Sequence, residues 1–327
     1  LPERTGGHVR RATTNRHKVT VVGLGAMGRR HARVLRALGD RFELVGGYDV
    51  RTDVDLPEGV ERLGSDGEAI AVADVVVVAT PIEAHAGIVA RALSAGRNVL
   101  VEKPLCRTAA EATVLLAAAR GSGRLFVGHT ERFNPVVRAL ARLVRGDEVR
   151  KIDLRRVGAS RPSGCGALVN LGVHDIDLAA YLGGGEVFLR AALGAGDGAS
   201  GEDFAHLLFS TAAGALGHLY VDRTSTARQR TIELSTDRWL YEGDLLAHRL
   251  ARTPRANTAR ATRADVPLPL DEPLRMQAIA LADALDGGAP REIATALDGA
   301  RAVQVAEQAA ARCIPGDEAT RPGASRR

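Results

Sequence analysis

The stretch KVTVVGLGAMG, residues 18–28, limits the fold more than any other part of the chain. A β-branched run stops at Gly23, and Gly23, Gly25 and Gly28 stand in G-x-G-x-x-G spacing as a helical pattern opens with Ala26 and Met27. The first glycine allows a tight turn, the second lets backbone approach a diphosphate, and the third lets helix and strand pack closely. The helix start adds unpaired N–H groups and a positive dipole end. Alone this spacing is a weak signal. Asp49, at the end of the next strand pattern, makes it a dinucleotide-binding unit, because a carboxylate there accepts from ribose hydroxyls. That acid favours NAD, while Arg51 could accommodate the 2′-phosphate of NADP.

The following sequence keeps the rhythm. Strands are predicted over 18–23, 42–49, 73–80, 97–103 and 124–129, with helices over 27–38, 83–95 and 108–121 between them. Near-continuous apolar runs such as ADVVVVAT indicate strands buried on both faces, hence a doubly wound parallel sheet. After residue 134 short strands follow one another through tight turns, which predicts an α+β domain with a mostly antiparallel sheet. Residues 251–270 read as a polar, proline-containing loop, and helices at 273–286 and 295–312 close the fold. The expected division is a basic tail to residue 17, a dinucleotide-binding domain over 18–134, a second domain over 135–314, and a short tail over 315–327.

Composition removes several other classes. The formal charge of +5 is concentrated at the ends, with no aromatic interleaving, so no nucleic-acid partner is expected. No apolar run approaches 18 residues and no apolar stretch precedes Lys18, so neither a membrane span nor a secretory signal is expected. Three widely spaced cysteines suit no disulfide framework and no zinc ribbon, and a reducing cytoplasm is the expected compartment. There is no Walker motif, no G-x-S-x-G elbow, and no tyrosine followed four residues later by lysine.

Two further segments carry candidate chemistry. VEKPL puts Lys103 at the carboxyl end of a buried strand, where such sheets bind ligands, and Pro104 keeps it extended. From position alone Lys103 is either a surface lysine or a proton donor to a substrate hydroxyl. VNLGVHDIDLAAYL, residues 169–182, puts a histidine, two aspartates and an asparagine into an otherwise apolar helix.

The glycine turn, ATPIEAH, VEKPL, GHTERFNP and NLGVHDIDLAAYL occur in this order, and together they resemble the glucose–fructose oxidoreductase / inositol dehydrogenase / MocA (Gfo/Idh/MocA) family over about residues 18–310. The resemblance implies an NAD(P)-dependent oxidoreductase acting on a sugar or cyclitol carbinol, with Lys103 and His174 beside nicotinamide and substrate. It also implies Thr80, Pro81 and His85 near the ribose–nicotinamide portion, Glu102 at the nicotinamide ribose, and a cis bond before Pro104. Asn170 departs from the common family aspartate and points to the branch that oxidises the 3-hydroxyl of UDP-linked amino sugars. Asn170, Asn134 and Arg132 are expected to face the substrate, Arg132 through a phosphate or carboxylate or else in a salt bridge. Asp177 would fix His174 or cap a loop, and Asp175 would point to solvent. No metal is expected. A homodimer or homotetramer through the open face of the second sheet is expected. A ligand-sensing regulator on the same scaffold is the reading from a different class.

Overall fold

The computed structural model describes residues 16–54, 56, 59–120, 124–159, 165–196, 201–256 and 261–313. The first elements are β1 (His17–Val22), α1 (Ala26–Ala37), β2 (Phe42–Tyr48), α2 (Asp66–Val72), β3 (Val75–Val78), α3 (Ile82–Ser94), β4 (Asn98–Glu102), α4 (Ala109–Ala119) and β5 (Leu125–Gly128). A 3-10 turn (Thr130–Phe133), α5 (Pro135–Leu143), β6 (Val149–Val157), a π-helical turn (Leu168–Gly172) and α6 (Val173–Leu182) follow. Then come β7 (Val187–Ala195), β8 (Phe204–Thr211), β9 (Leu216–Asp222), β10 (Gln229–Thr236), β11 (Trp239–Asp244), β12 (Arg249–Pro254) and β13 (Ala264–Asp265). The chain closes through α7 (Pro273–Leu285), β14 (Ala294–Thr295) and α8 (Ala296–Ala310).

The first sheet has the order β14-β5-β4-β3-β1-β2, and β1 to β5 are parallel. Successive side chains of a strand point to opposite faces. In β3, accordingly, Val75 and Val77 enter the core shared with α1 and α7, while Val76 and Val78 enter the core shared with α3 and α4. All four are fully buried, which is why the run carries no polar alternation. The second sheet has the order β13-β12-β11-β10-β6-β9-β8-β7 and is antiparallel except where β6 pairs with β9. One of its faces packs on α5, α6 and α8 through Ile152, Leu154, Leu178, Leu207, Leu219 and Val305.

The expected tails fall outside the described residues except at Arg16 and His17, and His17 already begins β1. The region between β2 and β3 contains α2, which buries only Ala69 and Ile70 and is capped by Ser65 accepting from the Glu68 N–H. The loop expected over 251–270 needs correction in part, since β12 pairs along β11 and buries Leu250 and Ala251. Across the expected boundary at 134/135, Ala294–Thr295 pairs with Phe126–Val127 and α7 shares a core with α1. Among the described residues no helix is long and apolar enough to cross a membrane.

Candidate active site

The parallel sheet brings the carboxyl ends of β1 to β5 to one edge. There a cleft of about 1030 Å³ is lined by Gly23, Gly25, Ala26, Met27, Asp49, Arg51, Thr80 and Pro81, among others. Gly23 has φ +90°, and a Cβ there would come within 2.6 Å of the Ala79 carbonyl. A Cβ on Gly28 would sit 1.8 Å from the Gly23 oxygen, whereas one on Gly25 would meet nothing within 4 Å. The bare face of Gly25 therefore leaves room for a diphosphate at the start of α1, and the other two glycines close the turn. Asp49 accepts from the N–H of Leu24 at 2.7 Å and from that of Arg51 at 3.0 Å. Burial alone would raise its carboxyl, but the bonds from Arg51 and Leu24 hold it below the usual range, so it stays ionised. The hydroxyl of Thr80 is buried with no hydrogen-bond partner in the protein, a polar atom left for a ligand. These features fit a nicotinamide dinucleotide.

His85 is not part of this lining. Its ring lies between the Pro104 carbonyl, 2.9 Å from Nδ1, and the Thr80 carbonyl, 3.0 Å from Nε2. Burial lowers its pKa, so the neutral ring donates to one carbonyl at a time. It ties two loops together instead of facing the cofactor cleft.

A second cleft, of about 720 Å³, shares Met27 with the first and is lined in part by Glu102, Lys103, Glu131, His174 and Arg230. The Lys103–Pro104 bond is cis. The Lys103 ammonium donates to the Asn170 carbonyl at 2.8 Å, and burial brings its pKa down to about 8 although Glu102 opposes the shift. Glu102 is bonded to Nε2 of His31 at 2.7 Å, and this bond with the Lys103 charge outweighs burial to keep it ionised. His174 stands in the first turn of α6, just after the π-helical turn. Burial first, then the charges of Lys103 and Arg156, hold its pKa well below the usual value, so its resting form is a neutral base.

The other polar groups of α6 are held by partners distant in sequence. Asp175 does not face solvent: it is 2% exposed and accepts from Nε and Nη2 of Arg156 at 2.5 and 3.1 Å. Arg156 also reaches Glu131 at 3.3 Å, and Glu131 accepts from Arg230 at 2.8 Å. Arg156 and Arg230 lie directly opposite each other on β6 and β10, so these carboxylates separate two like charges. Asp177 accepts from Nε and Nη2 of Arg132 at 2.8 and 2.6 Å, and the guanidinium lies over Tyr181.

Arg132 thus takes the salt bridge expected as its alternative to a substrate anion, and Asp177, also a candidate for binding substrate, is its partner. Both are buried, pair with each other, and line a separate cleft of about 490 Å³ towards the carboxyl end of α6. Asn134 touches the Lys103 cleft, but its amide donates to the Leu245 carbonyl and its oxygen caps α5 by accepting from Val136 N–H. Asn170 meets Lys103 through its backbone, and among the described residues it does not line the cleft. His31, Arg156 and Arg230 have no counterpart among the sequence candidates. His31 faces inward three residues after Gly28, and that spacing was the available signal. Among the described residues no group of three or more His, Cys, Asp or Glu could hold a metal. His206 and His218, 3.1 Å apart, lie together on neighbouring strands of the second sheet.

A dinucleotide cleft that meets a lysine–histidine cleft across one methionine defines a Rossmann-domain oxidoreductase scaffold. The chain belongs to the Gfo/Idh/MocA family. Residues 17–129 match its oxidoreductase, NAD-binding Rossmann model, and residues 143–239 match its C-terminal domain model. Among its relatives is a putative UDP-kanosamine synthase oxidoreductase subunit of Amycolatopsis mediterranei, 33% identical over 53% of this chain and 53% of that protein. Another is the UDP-N-acetylglucosamine 3-dehydrogenase of Acidithiobacillus ferrooxidans, 28% identical over 51% of this chain and 54% of its own length. The chain thus spans about half the length of these curated relatives. A solved structure of the second superposes with TM-score 0.82 at 22% identity, covering 91% of this chain and 98% of that one. A levoglucosan dehydrogenase solved with NADH and levoglucosan gives TM-score 0.78 at 19% identity, covering 91% and 98%. At these identities the superpositions establish the shared fold.

Proposed function

We propose that the protein is an NAD-dependent dehydrogenase of a secondary carbinol, preferably at C3 of a nucleotide-linked sugar. The observation that carries this is the meeting of the two clefts at Met27, with Lys103 and His174 in the second. When bound, the nicotinamide supplies the hydride acceptor or donor. In oxidation the neutral Lys103 amine and the neutral His174 ring relay the single hydroxyl proton away, ending on His174, and in reduction the relay runs in reverse. The Asn170 carbonyl aims Lys103, and the His31–Glu102 pair holds the strand end behind it. Asp49 selects NAD by accepting from ribose hydroxyls.

The substrate preference rests on charge. Arg30, Arg33, Arg230 and His248 line the Lys103 cleft together with Glu102, Glu131 and Glu272. Arg33 is paired to Glu272 and Arg230 to Glu131, which among the described residues leaves Arg30 to face an incoming anion. A guanidinium so placed suits a diphosphate, and the names of two relatives carry UDP. A free sugar or cyclitol is the second reading, and it leaves this rim unused. A ligand sensor is the third, although it has no need of a buried lysine beside a histidine. The test is reduction of NAD with UDP-N-acetylglucosamine, other UDP-sugars, free hexoses and inositol. Turnover of inositol with none of the UDP-sugars overturns the preference, and tight NAD binding without any turnover selects the sensor. The second sheet would mediate self-association, and three widely spaced cysteines accord with a cytoplasmic enzyme.

A further inference from the structure

We propose that His129 is a positioning residue that receives the carbinol proton from His174 and passes it toward Asp177 and the cleft beyond, so that the site discharges while cofactor and substrate fill the two front clefts. This rests on the dehydrogenase reading above. His129 directly follows β5 and is 1% exposed. Both of its ring nitrogens, and Nδ1 of His174, are buried with no hydrogen-bond partner in the protein. Leaving a buried donor or acceptor unpaired costs about 1–3 kcal/mol. Three such nitrogens on adjacent rings call for a shared occupant.

The two rings meet edge to face, with centroids 6.3 Å apart and planes at 81°. With the centroids this far apart, even ring nitrogens turned toward each other stand beyond the range of about 2.7–3.2 Å that a direct N–H···N bond needs, and a bridging water fits between them. On its other side, Nδ1 of His129 stands 3.8 Å from Oδ2 of Asp177. His174, Asp177 and Tyr181 are spaced i, i+3 and i+7 along α6, so the path follows one helix face from the Lys103 cleft to the 490 Å³ cleft.

Charge gives the path a direction. His174 is faced by Lys103, Arg156, Arg230 and His129, all of which disfavour its cation. Burial lowers the pKa of His129 as well, but Asp177 and Asp298 oppose that shift against Arg132 and Lys103, and His174 has no carboxylate that does so among its largest influences. A proton taken on His174 thus gains by moving on. The balance is simple. Nε2 of His174, the nitrogen left for the cleft, accepts the substrate proton, and Nδ1–H goes to the bridging water. The water protonates one nitrogen of His129, which releases its other proton beside Asp177. One proton enters, one leaves, and no electrons move.

His129→Gln keeps a polar side chain but cannot carry a proton. With NAD and whichever sugar of the panel is turned over, oxidation should lose about 10–100-fold in kcat at unchanged KM and NAD affinity, with a larger solvent deuterium effect. His129→Ala should regain rate with added imidazole and far less with thiazole, an azole of similar shape and much lower basicity. Unchanged kcat in His129→Gln, or equal rescue by both azoles, overturns the proposal. A second measurement needs no cofactor or substrate. In 15N-histidine spectra of the free protein, His129 and His174 should titrate as a coupled pair, and His129→Gln should raise the pKa of His174. Independent titration overturns the relay. A panel with no turnover overturns the proposed function instead, and the spectra then decide the relay alone.

Discussion

Lys103 is pulled in two directions, and under the proposed function the balance would set the working pH. Burial lowers its pKa to about 8, while the Glu102 carboxylate beside it resists. Oxidation needs the neutral amine, so its rate should rise as pH passes about 8 and level off above. Reduction needs the ammonium and should fall over the same interval. His174 is already neutral there, so the limb belongs to Lys103. Lys103→Ala should lower kcat by about 10²–10⁴-fold and abolish the limb, with NAD affinity kept. A pH–rate profile of both proteins checks this, and a limb that persists in the variant assigns it elsewhere. Asp49→Ala should weaken NAD more than NADP in paired titrations, because the carboxylate that repels a 2′-phosphate is gone. Equal weakening would mean that Asp49 acts only by holding the Leu24 and Arg51 amides.

Helix α6 shows what a segment read by itself can and cannot reveal. The positions of Lys103 and His174 were legible, because a strand end before proline and a polar interruption in an apolar helix are local facts. The partners of Asp175 and Asp177 were not, since Arg156 and Arg132 lie 19 and 45 residues away and only the packed fold brings them in. Arg132 looked like an anion site for the same reason: a guanidinium in a loop reads as free until its carboxylate is placed. Strand β12 was hidden because its arginines and proline resemble a loop, while its pairing with β11 buries Leu250 on one face and Ala251 on the other. By contrast, β1 to β5 were plain, since burial on both faces leaves mostly apolar runs, with Thr20 and Glu102 among the few polar exceptions. Breaking a buried ion pair by removing one partner strands the other charge. Asp175→Ala should therefore destabilise the protein by about 3–5 kcal/mol, less whatever Glu131 still gives Arg156. Denaturant unfolding measures it. Restoration of stability by the double replacement Asp175→Leu with Arg156→Met would show that the loss came from the stranded cation.

The molecule as a whole carries its clefts on one sheet edge and leaves a face of the second sheet bare. Leu193, Phe204, Leu208 and Leu216, on β7, β8 and β9, are all exposed. Around them His206 stacks on Tyr220 at 4.4 Å, and Arg155 lies over the same tyrosine. His206, Tyr220, His218 and Asp222 pair beside these apolar residues, so the face is mixed, as docking surfaces between copies are, and a two-fold interface needs one patch that can face itself. With self-association through this sheet, as proposed above, light scattering should find a dimer or a larger even assembly. Leu208 pairs with Ala191 on one side and His218 on the other, which places it inside the face. A carboxylate introduced there would meet its own symmetry mate, and a second at the strand end, Leu216, would add to the repulsion. Leu208→Glu with Leu216→Glu should therefore yield a monomer at concentrations where the parent is assembled. Because both side chains point away from the core, unfolding stability of the isolated subunit should change little. NAD affinity should also hold, since the cofactor cleft is built on the other sheet. A parent that is already monomeric would remove this face as an interface between copies. A double variant that stays assembled would place the interface on another surface, and loss of NAD binding on dissociation would show that the cleft is completed by the neighbouring subunit.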